Sequence, residues 1–77
     1  MTYEINGFVF EYDRRGRTWL YGEINKGIGI YKDNGSWYAN IIHSAGSSLF
    51  NGPHKHAGQA MEQAIGIWTE YESKSYV

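Results

Sequence analysis

The sequence lacks cysteine altogether and has a single proline among its 77 residues. Without thiols, neither a disulfide framework nor a thiolate metal site can form. The sequence also lacks the run of ~18 apolar residues that a membrane-spanning helix needs, and the basic and apolar segments of a secretion signal. We therefore expect a cytoplasmic protein that has no contact with a membrane.

An excess of charge of one sign is missing as well. Seven Lys and Arg residues balance eight Asp and Glu residues, for a net charge of −1. Tight binding to duplex DNA uses many phosphate contacts, so this balance argues against it. Aromatic residues are dense, at 17%, which argues against disorder. The length corresponds to a single domain over residues 1–77, in which a deep catalytic cleft is hard to build beside a core.

Two turn signals organise the first two thirds of the chain. Asn6-Gly7 lies between alternating apolar and polar residues and predicts a two-residue hairpin turn, because both central positions require a positive φ. Asp33-Asn34-Gly35 predicts a second turn. Residues about 2–50 are therefore predicted to form a sheet, whose later strands are expected near 18–24, 28–32 and 36–43.

The hydrophobic period changes from two to 3.6 after Pro53. From about residue 55 to 72, apolar residues recur at spacings of three and four, which predicts one amphipathic helix. The expected fold is α+β, an antiparallel β-meander of four to five strands with one C-terminal amphipathic helix packed on one face. Leu49-Phe50 is expected to form a brief edge strand or a hydrophobic plug. The apolar stripe of the helix comprises Ala57, Ala60, Met61, Ala64, Ile65, Trp68 and Tyr71.

One helix can cover only one face of such a sheet, so the strand alternation divides the apolar residues into two sets. The helix-covered set is predicted to be Ile5, Phe8, Phe10, Leu20, Ile24, Ile28, Ile30, Trp37, Ala39 and Ile41. The uncovered set is predicted to be Trp19, Tyr21, Tyr31, Tyr38 and Ile42. Contiguous exposed aromatic surface usually marks a contact site, so these four aromatic residues are predicted to bind a partner. The alternative is that strands merely favour aromatic residues and that this register is shifted by one.

Three arginines, Arg14, Arg15 and Arg17, occupy a predicted loop after the second strand. Guanidinium groups suit carboxylates and phosphates, so they join the predicted binding site. The alternative is that they belong to a solvated hairpin loop.

Catalysis and metal binding have little support in the sequence. His43, His54 and His56 resemble part of a zinc site, but no fourth ligand accompanies them at a suitable spacing. Serines follow His43 without a nucleophile elbow or an orienting acid. We predict that the protein is not an enzyme and has no metal site and no cofactor. The role of the three histidines stays open.

Two glycines on the outer side of the predicted helix, Gly58 and Gly66, lie about two turns apart. Each disfavours a helix interior by ~1 kcal/mol relative to Ala, a cost that close approach of another backbone can offset. A homodimer through this helix face is therefore one expectation. The alternative is that the glycines are incidental.

In its size, its near-neutral charge, its lack of cysteine and its order of strands followed by a helix, the whole chain resembles the small proteins that phages make to disable bacterial defences. Anti-CRISPR proteins are the best-known group of these. The resemblance covers organisation only, and no family motif is matched. It implies a non-catalytic module that binds a larger protein complex and blocks it sterically in the bacterial cytoplasm.

The alternative function is nucleic-acid binding. The segment Ser36-Trp37-Tyr38-Ala39-Asn40-Ile41, followed by an amphipathic helix, loosely resembles the AP2 and integrase arm domains. Those domains lay a three-stranded sheet in the DNA groove and are usually basic, which this chain is not. Stacking of single-stranded bases on Trp19 and Tyr21 needs fewer phosphate contacts and is the second form of this alternative.

Overall fold

A computed structural model describes residues 1–23, 26–44 and 47–74 of the chain. Within these ranges, six strands precede one helix. Their bounds are β1 (Thr2–Ile5), β2 (Phe8–Asp13), β3 (Thr18–Glu23), β4 (Lys26–Asp33), β5 (Ser36–Ser44), β6 (Ser47–His54) and α1 (Ala57–Lys74). The α+β prediction, with an antiparallel sheet and a C-terminal helix, is confirmed. The strand count of four to five is corrected to six for the described residues, because the segment around Leu49-Phe50 pairs along β5 as a full strand.

The sheet is a meander whose strands lie in chain order from β1 to β6. Both predicted turns are present. Asn6 and Gly7 have φ of 50° and 83°, and Asn34 and Gly35 have φ of 52° and 82°, the left-handed pairs that two-residue hairpins require. Because these turns are so short, they fix the registers of β1 with β2 and of β4 with β5.

The helix begins at Ala57, two residues later than the apolar period suggested. The His56 carbonyl accepts the first helical hydrogen bonds, from the N–H groups of Gln59 and Ala60. The side chain of Gln59 reaches back and accepts the N–H of Lys55 at 3.2 Å. This exchange satisfies backbone groups at the helix start, much as a capping box does. The predicted range of 55–72 is thereby shifted to Ala57–Lys74.

The helix packs on one face of the sheet, mainly against β5 and also against β6 and β4. Its stripe closes a core with side chains of β2, β4 and β5, and each fully buried large apolar side chain contributes roughly 1.5–3 kcal/mol. The buried apolar residues are Phe10, Ile28, Ile30, Ala39, Ile41, Ala60, Met61, Ala64, Ile65 and Trp68. Within the described residues, no helix has the length and apolar character needed to cross a membrane.

The predicted faces of β3 were wrong. Asp13 pairs directly with Thr18, so Trp19 lies beside Tyr12 on the helix-covered face, and Leu20 lies on the opposite face. The Tyr21 ring meets the ring of Trp68 edge-on at 5.8 Å. The physical reason is the register set by the β2–β3 loop, because strand side chains alternate between the faces and Thr18 opposite Asp13 fixes the side of every later residue of β3. Ile24, predicted for the covered face, falls outside the described residues.

Candidate functional site

The strand registers place one row of residues straight across the uncovered side of the sheet, which we call the open face. From one edge to the other this row reads Thr2, Glu11, Leu20, Gly29, Asn40 and Phe50. Leu20 and Phe50 in this row are apolar, and Gly29 has no side chain, although the row lies on the side of the sheet that no helix covers. These apolar residues do not belong to the buried core, so the open face is the candidate contact surface.

A groove about 370 Å³ in volume, the glycine groove, runs along the open face over β3 to β5. Its floor is backbone, because Gly27 and Gly29 present no side chain there. Leu20, Tyr31 and Ile42 line it with apolar groups. A Cβ built on Gly29 would lie 3.7 Å from the nearest side-chain carbons, which is ordinary contact, so the space above this residue is open. The volume is at the lower end of that of ligand pockets and would hold one or two large side chains.

A second groove of about 360 Å³, the acidic groove, lies on the other side of Leu20. Glu11 and Asp13 line it together with Val9. Leu20 lines both grooves and is 45% exposed. An apolar ridge thus separates the glycine groove, whose lining includes one acidic residue, Glu23, from a groove lined by two, Glu11 and Asp13.

The strand residues that face the open side carry acidic groups and, within the described ranges, no Lys or Arg. Glu4 and Glu11 pair with Val9 and Leu20, and Asp13 pairs with Thr18. The strand lysines lie on the covered side, where Lys26 and Lys32 sit 5.8 and 5.9 Å from the centroids of the Trp68 and Trp37 rings. The strand positions of the open face therefore combine apolar surface with carboxylates, and the cations of this side lie in the loop between β2 and β3.

Tyr31 and Tyr38, which were both predicted for the uncovered side of the sheet, pair with each other on the open face. Tyr31 and Tyr38 stack with their centroids 5.6 Å apart and their planes 21° apart. Gly52 backs this pair, since a Cβ there would come within 2.7 Å of the Tyr38 ring. Because Tyr31 also pairs with Thr18, the stack lies beside the loop that ends at residue 17.

The arginine loop connects β2 to β3 at this end of the open face. Arg14, Arg15 and Arg17 are all exposed. The Asp13 carboxylate accepts the N–H of Arg15 at 3.1 Å, and Arg17 has a φ of 54°. These features make the loop a tight turn with its side chains in solvent.

The structure therefore brings together five of the seven predicted binding residues and separates the other two. The arginine loop and the tyrosine pair share one end of the open face, whereas Trp19 and Tyr21 lie under the helix side of the sheet. A binding role for any of the seven stays a prediction. Sequence reasoning missed Leu20, Gly29 and Glu11, although the pattern Gly27-x-Gly29 in a strand could have indicated a surface groove.

His43 and His54 belong to different strands, and neither lines a groove of the open face. His43 packs against Trp68 and Tyr71 at ring distances of 5.4 and 5.2 Å. Its Nε2 is 3.8 Å from a Glu72 oxygen that also binds Lys26 Nζ at 3.0 Å. His54, on β6, instead contacts its neighbour Asn51 at 2.6 Å. Across the described ranges, no group of three or more His, Cys, Asp or Glu residues is arranged to hold a metal ion.

The two helix glycines differ in their surroundings. A Cβ on Gly66 would meet nothing within 4 Å, so this residue lies on the outer side of α1 as predicted. A Cβ on Gly58 would lie 4.0 Å from the Tyr3 hydroxyl, next to β1. Dimerisation through this face stays a prediction.

Comparison with known proteins returned no matching family model, no matching curated protein and no matching solved structure. The function must therefore be argued from the geometry and charge of the open face.

Proposed function

We propose that the protein is a non-catalytic protein-binding module and that the open face, centred on the glycine groove, is its contact surface. One observation carries the proposal, namely that apolar groups line a groove on the side of the sheet that no helix covers. Val9, Leu20 and Phe50 on this side are 47%, 45% and 68% exposed. Exposed apolar side chains around a groove are typical of an interaction site.

The shape of the surface favours a macromolecular partner. A stable protein interface needs about 800 Å² from each partner. The molecule measures 38 × 25 × 23 Å along its principal axes, so one face of its sheet can supply that area. The glycine groove would then receive the partner's central side chain, and the flatter surroundings would exclude water.

The more specific form of the proposal is a small phage-type inhibitor that blocks a larger bacterial defence complex. A steric inhibitor needs a rigid surface and no catalytic groups. The small size, the near-neutral charge and the apolar open face support this form. It predicts stoichiometric rather than catalytic inhibition of the target complex.

The test compares a groove-filling variant with a matched glycine substitution elsewhere. Gly29→Val places a side chain in the glycine groove, whereas Gly66→Ala adds a methyl group on the outer helix face. Both variants should show native circular dichroism. A partner captured by the native protein and by Gly66→Ala, but at least tenfold less by Gly29→Val, would support the open face as the contact surface. Equal capture by all three would refute it.

Nucleic-acid binding remains the second candidate, and the arginine loop beside the Tyr31–Tyr38 stack is the observation that favours it. Base stacking on tyrosines combined with cationic contacts is typical of single-strand binding. The acidic groups of the open face oppose it, because they repel phosphates. Anisotropy of labelled single- and double-stranded oligonucleotides at low and moderate salt separates the two candidates. Binding at low salt that Tyr38→Ala abolishes would favour nucleic acid.

A further inference from the structure

The two grooves of the open face share one ridge, Leu20, and differ in their acidic lining, which is Glu23 in the glycine groove and Glu11 with Asp13 in the acidic groove. We propose that the partner of this face is a protein segment that places an apolar side chain in the glycine groove and a Lys or Arg side chain in the acidic groove beside Glu11. This inference rests on the proposed function and specifies the chemistry of the partner.

Charge complementarity is the argument for the basic side chain. Glu4, Glu11 and Asp13 all belong to β1 and β2 and face the same side as Leu20. A partner that covered this surface with apolar groups alone would remove water from these carboxylates without replacing it, which costs free energy. A guanidinium or ammonium group would instead meet them with charge-assisted hydrogen bonds.

The positions of the grooves also set the spacing within the partner segment. Glu11 pairs with Leu20, and Leu20 pairs with Gly29. Neighbouring strands lie ~4.8 Å apart, so the carboxylate strand and the floor of the glycine groove are separated by roughly 10 Å. Side chains seven residues apart on a helix share a face and span about this distance. In an extended segment the pairs that share a face are two or four residues apart, about 7 or 13 Å, and these lie on either side of it.

Other occupants fit this face less well. Phosphates of nucleic acid and anionic lipid headgroups would lie against carboxylates. Two copies of the chain meeting through their open faces would bring the same acidic groups together. The arginine loop lies next to Asp13, whereas Glu11 lies two residues, about 7 Å, further along β2, so the loop offsets the field less at Glu11 than at Asp13.

The experiment uses a displayed library of random 12-residue peptides selected on the native protein at low salt. We expect the retained peptides to contain a large apolar residue and an Arg or Lys at the spacing given above. Affinities of synthetic copies are then measured by fluorescence anisotropy for the native protein, Glu11→Gln, Gly29→Val and the control Glu62→Gln. Glu62 is an exposed acid on the helix, so its substitution makes the same change of net charge away from the open face.

Glu11→Gln should weaken peptide binding by ~2–5-fold, the range expected of a solvent-accessible ion pair, and Glu62→Gln should leave it unchanged. Replacing the peptide arginine by neutral citrulline should weaken binding to the native protein by the same factor. The same replacement should change the affinity for Glu11→Gln little, because that variant lacks the carboxylate. The preference of the native protein for the arginine peptide over the citrulline peptide should also decline as the salt concentration rises.

The experiment distinguishes failure of the basic partner from failure of the proposed protein-binding function. If Gly29→Val abolishes binding but Glu11→Gln and citrulline change nothing, the basic partner is refuted and the protein-binding face stands. If Gly29→Val leaves the affinity unchanged, or if the selection returns no peptide that competes for this face, the proposed function itself fails. Displacement of the peptides by oligonucleotides would assign the face to nucleic acid and refute the inference.

Discussion

Gly27 and Gly29 lie two residues apart on one strand and face the same side, yet the structure predicts opposite effects of adding a side chain to them. At Gly29 a Cβ would be 3.7 Å from Leu20 Cδ2 and from Thr18 Cγ2, a distance of normal contact. At Gly27 it would overlap the carbonyl oxygen of Tyr21 and lie 2.7 Å from that of Glu23. These oxygens belong to backbone, so they cannot move aside as the end of a flexible side chain can.

The magnitudes follow from this difference. A glycine inside a strand is less favourable than alanine by roughly 0.5–1 kcal/mol, and valine has a still higher strand preference. Gly29→Val should therefore raise the free energy of unfolding by about 1 kcal/mol, or raise Tm by roughly 4–8 °C in a domain of this size. Gly27→Ala forces a backbone shift that is comparable to overpacking, and it should lower the free energy of unfolding by about 1–3 kcal/mol.

Thermal and urea unfolding followed by circular dichroism at 222 nm measure both variants against the native protein. The two variants are expected to change the free energy of unfolding in opposite directions, so an effect of expression or buffer that both share cannot produce the result. A loss of stability in Gly29→Val similar to that in Gly27→Ala would mean that the space above Gly29 is not open. That result would remove the glycine groove, and with it the basis of the proposed function.

Three further substitutions test other parts of the structure. Tyr21→Ala should lower the free energy of unfolding by about 3 kcal/mol in a urea titration because its ring packs against the helix, whereas Tyr31→Ala on the open face should lower it by under about 1 kcal/mol; equal losses would contradict the assigned faces of β3 and β4. Gly66→Ala should raise Tm and the free energy of unfolding, the latter by up to ~1 kcal/mol, without changing the sedimentation coefficient. A shift from dimer to monomer would instead indicate contact through the helix. Lys26→Gln should lower stability by roughly 0.2–1 kcal/mol through loss of the contact with Glu72, and that loss should shrink at high salt; a salt-independent loss would point to packing on the ring instead.

The first hairpin and the helix could be predicted because each depends on local information. Asn6-Gly7 fixes its own register, so the pairs Ile5 with Phe8 and Tyr3 with Phe10 follow from the turn alone and are confirmed. The helix stripe likewise follows from spacing, and its central members are buried against the sheet.

The faces of β3 could not be predicted because nothing local decides them. Trp19, Leu20 and Tyr21 are three consecutive apolar residues, so alternation does not distinguish the sides of this strand. The decision comes from how the arginine loop closes, with Asp13 opposite Thr18. A loop with one residue more would exchange the two faces of the strand and return Trp19 to the open side.

The length of β6 was underestimated for a related reason, since only Leu49-Phe50 was expected as a brief edge strand or a plug, whereas the strand runs over Ser47–His54. Pro53 argues against a strand because it cannot donate to a sheet. β6 is the last strand in the order, so within the described residues one of its edges has no neighbouring strand, and a proline is tolerated there. The register shift between the pairs Trp37–His54 and Ala39–Asn51 takes up an extra residue at Gly52-Pro53. Pairing with β5 thus overrides the local preference of the segment.

Gly29 differs from the other glycines of the sheet in that the fold gives no reason for it. Gly7 and Gly35 provide the positive φ of their turns, and Gly27 lies too close to backbone oxygens for any side chain. Gly29 has neither a left-handed φ nor a crowded Cβ position, so valine or threonine would serve the strand better. Residues that lower stability without a structural need are concentrated where a protein contacts something else. The absence of a side chain at this one position creates the glycine groove, and this makes Gly29 the strongest single indication that the open face is a binding surface.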